Sequence, residues 1–432
     1  MSDREILVDV SPGEVRAAIL DDGWLDQILI DRLGQPRLLE ATVLAPVTQS
    51  RRDLGAVFLD LGAQDGYLDK FRGPPPTQGE SLIVQVTAEA HRAKAARVTV
   101  DPVLSGALLD LTPTRPGHAV ARAITAKTER ARLRDALARV VPETMGALVH
   151  AHARDCDSDA LETEAKALLD RWSRIQEQAN EPRASRGFRV LDPAPDALVR
   201  ARRIAPDALV REGRDGSLFR EHDIDDALIR AMDRRARLPG GGVLVIDEAE
   251  ALVAIDVDAG GDRTATDNPS GFANQVALEV GRQIRLRRLA GLILIDFPRI
   301  GGEAAKRVLT NALESALARD AEAVTIHGWT RGGLLELTRT RREPSLLEIL
   351  GDVDGVTPFN ATTQALEALR RVRRETSGIA RPRLLCPSPV KLALEGPLRP
   401  ALDAVESSLG GPLPLDARDG TNAIEITGDQ GE

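Results

Sequence analysis

The 432-residue sequence predicts a chain of several subdomains that combines α/β and α+β architecture. Three observations support this prediction. Short apolar strands separated by turn residues fill residues 37–100, a pattern typical of a small barrel of the OB type. Segments with helical periodicity occupy residues 118–180. Apolar strands and amphipathic helices then alternate from Gly240 to about Pro344, which predicts a mixed α/β layer.

Composition restricts the class of protein. The formal net charge of −9 argues against nonspecific coating of nucleic acid, so a nucleic-acid partner requires local positive patches. The two cysteines, Cys156 and Cys386, form no CxxC, so neither a disulfide framework nor a cysteine zinc site is expected. The chain begins without a basic targeting region and lacks the apolar run of about 18 residues that a membrane span needs. We therefore expect a cytoplasmic protein without a membrane partner.

The order of elements follows from periodicity and turn residues. Residues 4–30 predict a meander of short strands, and the segment IDDALIRAMDRRARLPGG predicts a helix that ends at Pro239. VLVID and ALVAIDVD predict a hairpin, with a polar loop from Ala259 to Ser270 after it. A helix over GFANQVALEVGRQIRLRRLAG precedes the apolar strand LILIDF. The chain after Pro344 is expected to form a smaller, separate piece.

Three aspartates mark the ends of the apolar strands. Asp256 and Asp258 are two residues apart, so both side chains point to one face of their strand while Ile255 and Val257 face a core. Asp296 ends the next strand. Magnesium prefers a few carboxylates and keeps water and substrate phosphate as its other ligands, so this pattern predicts a magnesium site. The alternative is that each aspartate caps a turn or the following helix.

Two groups of arginines lie near these aspartates in the sequence. A polyanion next to the metal requires cationic groups that bind phosphate, and these clusters are candidates; the alternative is that each is a solvated helix face. The members are Arg282, Arg285, Arg287 and Arg288 in the first cluster, and Arg331, Arg339, Arg341 and Arg342 in the second.

Two aromatic residues lie in the predicted barrel. A ring on a barrel face can stack on a base, and Phe58 and Tyr67 have this position, although both also suit an ordinary core. His327 is a weaker candidate for an acid or base and is better explained as a structural histidine. The sequence has no Walker loop, dinucleotide fingerprint or nucleophile elbow.

Several of these segments resemble the ribonuclease E/G family. VLVIDEAEALVAIDVDAG, RQIRLRRLAGLILIDF and TRGGLLELTRTRREPSL resemble its catalytic core in order and spacing. ILVDVSPGEVRAAILDDGWLDQILI and GAVFLDLGAQDGYL are similar to its opening strands and its RNA-binding barrel. The resemblance implies a magnesium-dependent endoribonuclease that cuts single-stranded RNA in ribosomal RNA processing and messenger RNA decay.

The resemblance also implies roles for individual residues. It makes Asp256 and Asp296 the metal ligands and Asp258 the third catalytic residue, where the family usually has Asn. The substrate-contacting arginine falls on Arg331. Further RNA contacts are expected from the barrel, from its flanking lysine and from the first arginine cluster, namely Phe58, Tyr67, Lys94, Arg282 and Arg285.

The resemblance implies five parts. They are an RNase H-like subdomain (1–33 and 200–239), an inserted OB-type RNA-binding barrel (34–100), a sensor-like region (101–199), a DNase I-like catalytic subdomain (240–345) and a small C-terminal domain (346–432).

Two departures from the family pattern stand out. The Arg-Thr pair of the family's 5′-monophosphate pocket falls on His150 and Ala151, which cannot form the same bidentate clamp. The CxxC that joins two subunits through zinc has no counterpart in EPSLLEILGDVDGVTPF. We therefore expect no zinc site and no zinc-linked dimer, and any oligomer would form by other contacts.

The interpretation is a cytoplasmic endoribonuclease in which Asp256 and Asp296 hold Mg²⁺. Two alternatives stay open at this stage. One is an RNA-binding homologue with weak or no cleavage, suggested by the two departures. The other is a phosphodiesterase that acts on DNA or on a small nucleotide, against which the barrel aromatics argue.

Overall fold

The computed structural model describes residues 3–35, 37–51, 53, 55–69, 74–92, 94–181, 187–239, 241–260, 269–298, 302–352, 358–376, 379, 381–418 and 423–428. The chain forms two compact units, which we call the first unit (Met1–Pro36 with Asp196–Glu432) and the inserted unit (Arg37–Pro195). Most of the polar loop predicted between Ala259 and Ser270 lies outside the described residues.

Strands and helices alternate along the described chain. The strands are β1 Arg4–Ser11, β2 Glu14–Asp21, β3 Trp24–Arg32, β4 Thr42–Arg51, β5 Ala56–Asp60, β6 Asp65–Asp69, β7 Ser81–Ala88, β8 Ala96–Thr99, β9 Leu104–Ser105, β10 Leu109–Thr112, β11 Gly117–Val120, β12 Gly146–Val149, β13 Arg189–Asp192, β14 Leu209–Arg214, β15 Arg235–Arg237, β16 Val243–Glu248, β17 Val253–Asp258, β18 Gly291–Asp296, β19 Val324–Trp329, β20 Leu335–Arg339, β21 Arg383–Cys386, β22 Leu415–Ala417 and β23 Glu425–Thr427. The helices are α1 Lys127–Val140, α2 Ser158–Asn180, α3 Ala197–Ile204, α4 Ser217–Glu221, α5 Ile224–Met232, α6 Pro269–Leu286, α7 Gly302–Leu317, α8 Leu346–Leu350, α9 Ala361–Glu375, α10 Ser388–Glu395 and α11 Arg399–Leu409.

The inserted unit contains a closed barrel. Strands β4, β5, β6, β8 and β7 follow one another around it, and β7 pairs back onto β4. Alternate residues such as Val57, Leu59 and Leu68 fill its interior, as expected where one face of each strand is buried. A second sheet (β11-β12-β10-β9) packs against α1 and α2 around its own core. The predicted small barrel is thus confirmed as a closed five-stranded structure.

The amino-terminal strands of the first unit form the predicted meander. β1, β2 and β3 are antiparallel neighbours, and β14 adds to β1 in parallel. One face of this sheet is covered by alanines of α3, including Ala197 and Ala201, and the other by α4 and α5 through Phe219 and Leu228. Because both faces of this sheet are covered, the sequences of its strands are nearly continuous apolar runs.

The sheet that carries the three predicted aspartates has the strand order β15-β16-β17-β18-β20-β19, and we call it the carboxylate sheet. One of its faces packs against α6 and α7, with Leu244, Ile255, Ile293 and Leu337 in the interior. β16 and β17 form the predicted hairpin. β17 and β18 are parallel because α6 carries the chain back across the sheet between them.

Residues 346–432 have a hydrophobic core of their own, which includes Leu366, Leu384 and Leu402. They nevertheless belong to the first unit. Arg370 of α9 forms a buried ion pair with Glu14 of β2 at 2.5 Å, and such a contact ties the helix to the meander. The predicted five-part division of the chain stays a prediction.

The observed architecture confirms a mixed α/β and α+β chain with several sheets and a closed barrel. The likeness of single subdomains to RNase H and DNase I stays a prediction. Among the helices in the described ranges, none has the length and apolar character needed to cross a membrane.

Candidate active site

Asp256 and Asp296 lie side by side at the ends of two parallel strands. The register pairs Asp256 of β17 directly with Asp296 of β18, so their Cα atoms are about 4.8 Å apart across the sheet. Both side chains are exposed, whereas the neighbouring Ile255 and Ile295 are buried in the core below. This arrangement follows from the alternation of apolar and acidic residues along both strands.

Asp258 shares this face but has a local role as well. It is exposed at the end of β17, and its Oδ1 accepts a hydrogen bond from the backbone N–H of Gly260 at 2.8 Å. A Cβ at Gly242 would stand 2.5 Å from the carbonyl oxygen of Asp258. Any side chain at this position would therefore clash with the backbone at the end of β17. Asp258 therefore caps a turn, which was the alternative interpretation of its position, and still presents its carboxylate next to the pair.

The carboxylates suit one type of metal site better than another. In the described part of the chain, no three or more His, Cys, Asp or Glu side chains form a group that could hold a metal ion. Mg²⁺ is commonly bound by one or two carboxylates together with water and substrate phosphates, without an all-protein cage. The adjacent Asp256 and Asp296 fit this type of site.

Arg331 lies at the same end of the carboxylate sheet as the paired aspartates. It is exposed in the turn between β19 and β20, which the Thr330 N–H closes by donating to the Leu334 carbonyl at 2.8 Å. Ile295, the residue before Asp296, pairs with Leu335, the first residue of β20, so this turn ends next to the aspartate. Arg331 therefore lies in a turn at the end of the sheet where β18 ends at Asp296.

The arginines of the first cluster have intramolecular partners. Arg285 is 7% exposed, and it donates to Asp26 at 2.6 Å and to the Ala316 carbonyl at 2.8 Å. Arg282 pairs with Glu279 at 2.6 Å and donates to the Leu25 carbonyl at 2.9 Å. A guanidinium enclosed in this way reaches an RNA phosphate only by giving up its partners. Arg285 and Arg282 therefore both have structural contacts, and the RNA contacts predicted for them stay predictions.

The other arginines of the two clusters, apart from Arg331, also form contacts within the protein; they are Arg287, Arg288, Arg339, Arg341 and Arg342. Arg339, for example, pairs with Asp320 at 2.8 Å and is buried. Arg287 donates to Gln283 and to the Asp233 carbonyl, both at 2.6 Å. The sequence could not separate these arginines from Arg331, because spacing along the chain does not reveal which acids lie opposite.

The barrel presents its two aromatic rings as a neighbouring pair. Phe58 of β5 and Tyr67 of β6 are directly opposite each other, with ring centroids 5.7 Å apart, and both are half-buried. Arg97 of β8 is exposed and lies opposite Tyr67 on the next strand. Lys94 is exposed just before β8. Phe58, Tyr67 and Arg97 thus form one row across the barrel surface, of which sequence reasoning missed Arg97.

The register of the barrel explains why Arg97 was missed. Its alternation with the buried Ala96 and Val98 is visible in the sequence and indicates an outward side chain. The parallel pairing of β8 with β6 is not visible there, since strand partners depend on the closed barrel.

The side chain of His150, in the predicted sensor region, forms polar contacts within the protein. Its Nε2 lies 3.1 Å from Asp110 Oδ1 and its Nδ1 lies 3.2 Å from the Ala107 carbonyl. The hydrogen bond to Asp110 raises the pKa of His150 against the opposing effect of burial. Both ring nitrogens therefore face acceptors, an arrangement that favours the imidazolium. The loss of 5′-end sensing stays a prediction.

Comparison with known proteins adds family information to this geometry. The model of the ribonuclease E/G family matches residues 103–208 and 197–342. Ribonuclease G of Salmonella typhimurium (strain SL1344) is 27% identical over 398 residues, which cover 80% of this chain and 81% of the relative. Ribonuclease G of Escherichia coli (strain K12) is 28% identical, with 80% and 81% covered. Ribonuclease E of Escherichia coli (strain K12) is 28% identical over 97% of this chain, which spans only 44% of that relative.

Proposed function

The chain belongs to the ribonuclease E/G family, and from that premise we propose that it is an endoribonuclease that cuts single-stranded RNA with magnesium in RNA processing or decay. Its relatives named ribonuclease G and ribonuclease E support the enzyme class. The observation that carries the proposal is the pairing of Asp256 with Asp296 across two parallel strands. The proposed location is the cytoplasm.

Asp256 and Asp296 are the residues that hold the metal in this proposal. When bound there, Mg²⁺ polarises the phosphodiester and lowers the pKa of a bound water. Asp258, on the same face of β17, orients the attacking water or completes the set of acidic groups. Arg331 binds a phosphate oxygen at the same end of the sheet, since a guanidinium matches phosphate geometry with two parallel hydrogen bonds. The cut leaves a 5′-phosphate on the product.

The barrel binds the single strand in this proposal, as OB-type barrels do. Stacking of a base on an aromatic ring contributes about 1–3 kcal/mol and tolerates any base. Phe58 and Tyr67 offer two neighbouring rings, and Arg97 and Lys94, both exposed, offer charge for the backbone. No zinc is required, and the chain associates, if at all, through other contacts.

The test is cleavage of a labelled, A/U-rich single-stranded RNA, with Mg²⁺ or with EDTA. We expect the parent to cut only with Mg²⁺, and Asp256→Asn combined with Asp296→Asn to lower the rate below about one hundredth of the parent. Asp403→Asn on α11, whose side chain is 54% exposed, is the matched control and should cut at the parent rate. Cleavage by the Asp256→Asn, Asp296→Asn double variant would refute the assignment of these two residues as metal ligands.

An RNA-binding homologue without cleavage is the second candidate. It is favoured by the two departures from the family pattern, namely His150 and Ala151 in place of the Arg-Thr pair, and the missing CxxC. Binding of the same RNA by the parent, with no cleavage in Mg²⁺, would select this candidate.

A further inference from the structure

The carboxylate sheet has one open face. On β16, Leu244 and Ile246 point into the core, while Val243 and Val245 are half-buried on the opposite face. Asp256 and Asp258 of β17 and Asp296 of β18 are exposed on that same face. The substrate of the proposed reaction must approach from this side, because α6 and α7 cover the other.

Strand β15 extends the open face by one strand. Ala236 lies opposite Leu244 and is buried in the same core. Its neighbours Arg235 and Arg237 are exposed, so alternation along the strand places them on the open face. The register makes two rows across the sheet. They are Arg235, Val245, Asp256 and Asp296 in the first, and Arg237, Val243 and Asp258 in the second.

These two arginines differ from most arginines near the site. Neither Arg235 nor Arg237 has a side-chain hydrogen bond or ion pair with any residue that the structure describes. Val245 and Val243 of β16 separate the arginine backbones from the aspartate backbones by two strand spacings, about 10 Å.

The edge of the sheet next to these arginines is also open. Arg235 and Arg237 border a cavity of ≈ 990 Å³, which Trp24 and Leu278 line with side chains that are 68% and 63% exposed. Among the strands in the described ranges, β15 pairs with β16 alone. The strand edge beside the two arginines is therefore open, although carboxylates such as Asp21, Asp22 and Glu279 also line the cavity.

We propose that Arg235 and Arg237 form a binding subsite for RNA phosphates that neighbour the one being cut. The inference rests on the proposed function, since it assumes that the scissile phosphate lies at Asp256 and Asp296. At two or three strand spacings from that pair, the arginines are placed for adjacent phosphates of the same strand. Their charge offsets the repulsion between the polyanion and three exposed carboxylates, and their planar guanidinium groups bind phosphate oxygens in pairs.

A protective role at the sheet edge is the competing explanation. Charged side chains on an edge strand prevent pairing with other chains, and such a role requires no RNA. The two explanations differ in the salt dependence of RNA binding, because each phosphate contact releases counterions from the nucleic acid.

The experiment measures the Kd of a short fluorescent single-stranded RNA by anisotropy, in EDTA, over a range of salt concentrations. We expect Arg235→Gln with Arg237→Gln to raise the Kd at least about tenfold at low salt. The slope of log K against log salt should flatten by about 1.4, as two lost contacts with a single strand require. In Mg²⁺, the KM for cleavage should rise while kcat stays near that of the parent. Arg235→Lys with Arg237→Lys keeps the charge and should restore the slope.

The matched control removes the same charge elsewhere. Arg234→Gln with Arg383→Gln takes away two exposed guanidinium groups that are already paired, with Asp247 and Asp416. Equal Kd values and slopes for the Arg235/Arg237 variant and this control would overturn the subsite, and the edge role would remain. A parent that neither binds nor cuts RNA would instead refute the proposed function, so the two failures are distinguishable.

Discussion

Glu14 is a buried carboxylate that three arginines surround. It is 3% exposed, and Arg32 and Arg370 donate to it at 2.6 and 2.5 Å, with Arg16 at 3.7 Å. Burial alone would raise its pKa. The attraction of Arg32, Arg370 and Arg16 outweighs burial and lowers the pKa of Glu14 from 4.5 to about 2. The group thus stabilises the fold as an anion.

Glu14→Gln should lower the free energy of unfolding by about 3–5 kcal/mol at pH 7, because it leaves buried guanidinium charges without their partner. The folded pKa lies below 4.5, so the contribution of Glu14 is complete above about pH 4.5 and is lost as the pH falls toward 2. Urea denaturation at several pH values measures this difference. Glu303→Gln, with a side chain that is 83% exposed, should change stability by less than about 0.5 kcal/mol. A difference that stays constant down to pH 2 would contradict the lowered pKa.

Single residues also show how far sequence reasoning reaches. The adjacency of Asp256 and Asp296 follows from local patterns, since each lies at or near the end of an apolar strand and a helix lies between the two strands. The role of Arg285 does not follow, because its partner Asp26 is 259 positions away in the chain. An arginine on an amphipathic helix looks the same in sequence whether it meets RNA or a buried acid.

Helix α6 is the element that joins the meander to the carboxylate sheet. Its Val276, Val280 and Ile284 belong to the core under that sheet, while Arg285 pairs with Asp26 of β3 at 2.6 Å. The same guanidinium donates to the carbonyl of Ala316 in α7. One side chain therefore connects three elements.

A double-mutant cycle tests this connection. Arg285→Met alone should lower the free energy of unfolding by about 3–5 kcal/mol, since it leaves the buried Asp26 unpaired. Adding Asp26→Leu should recover part of that loss, because an apolar pair of similar volume replaces the ion pair. Urea denaturation gives the stabilities, and RNA anisotropy on the folded variants should give the Kd of the parent. A Kd that rises for Arg285→Met without any loss of stability would restore the RNA contact predicted from the sequence.

Individual strands and helices were easier to predict from the sequence than the strands they pair with. The hairpin of β16 and β17 and the barrel strands follow from alternation and turn residues. The parallel pairing of β6 with β8, which sets Arg97 next to Tyr67, and the edge position of β15, which sets Arg235 in a row with Asp256, depend on register. Register is fixed by the assembled sheet, so these arginines became visible only in the structure.

At the scale of the whole molecule, the chain divides into units that have separate tasks in the proposed mechanism. The inserted unit, Arg37–Pro195, has two hydrophobic cores of its own, one in the barrel and one between α1, α2 and their sheet. It carries the aromatic row of Phe58 and Tyr67. The first unit carries all three aspartates. A unit with its own core is expected to fold alone, so binding and cleavage should be separable.

Residues 37–195 expressed alone should therefore fold cooperatively and bind single-stranded RNA without cutting it. Thermal unfolding followed by circular dichroism tests the first part, and RNA anisotropy tests the second. Within this fragment, Tyr67→Ala should weaken binding by about 1–3 kcal/mol, since one stacking ring is lost. Thr163→Ala, on an exposed part of α2, serves as the control and should leave the Kd unchanged. If the fragment folds but does not bind RNA, the prediction is wrong and the RNA-binding residues lie in the first unit. Arg331, Arg235 and Arg237 would then have to supply most of the affinity.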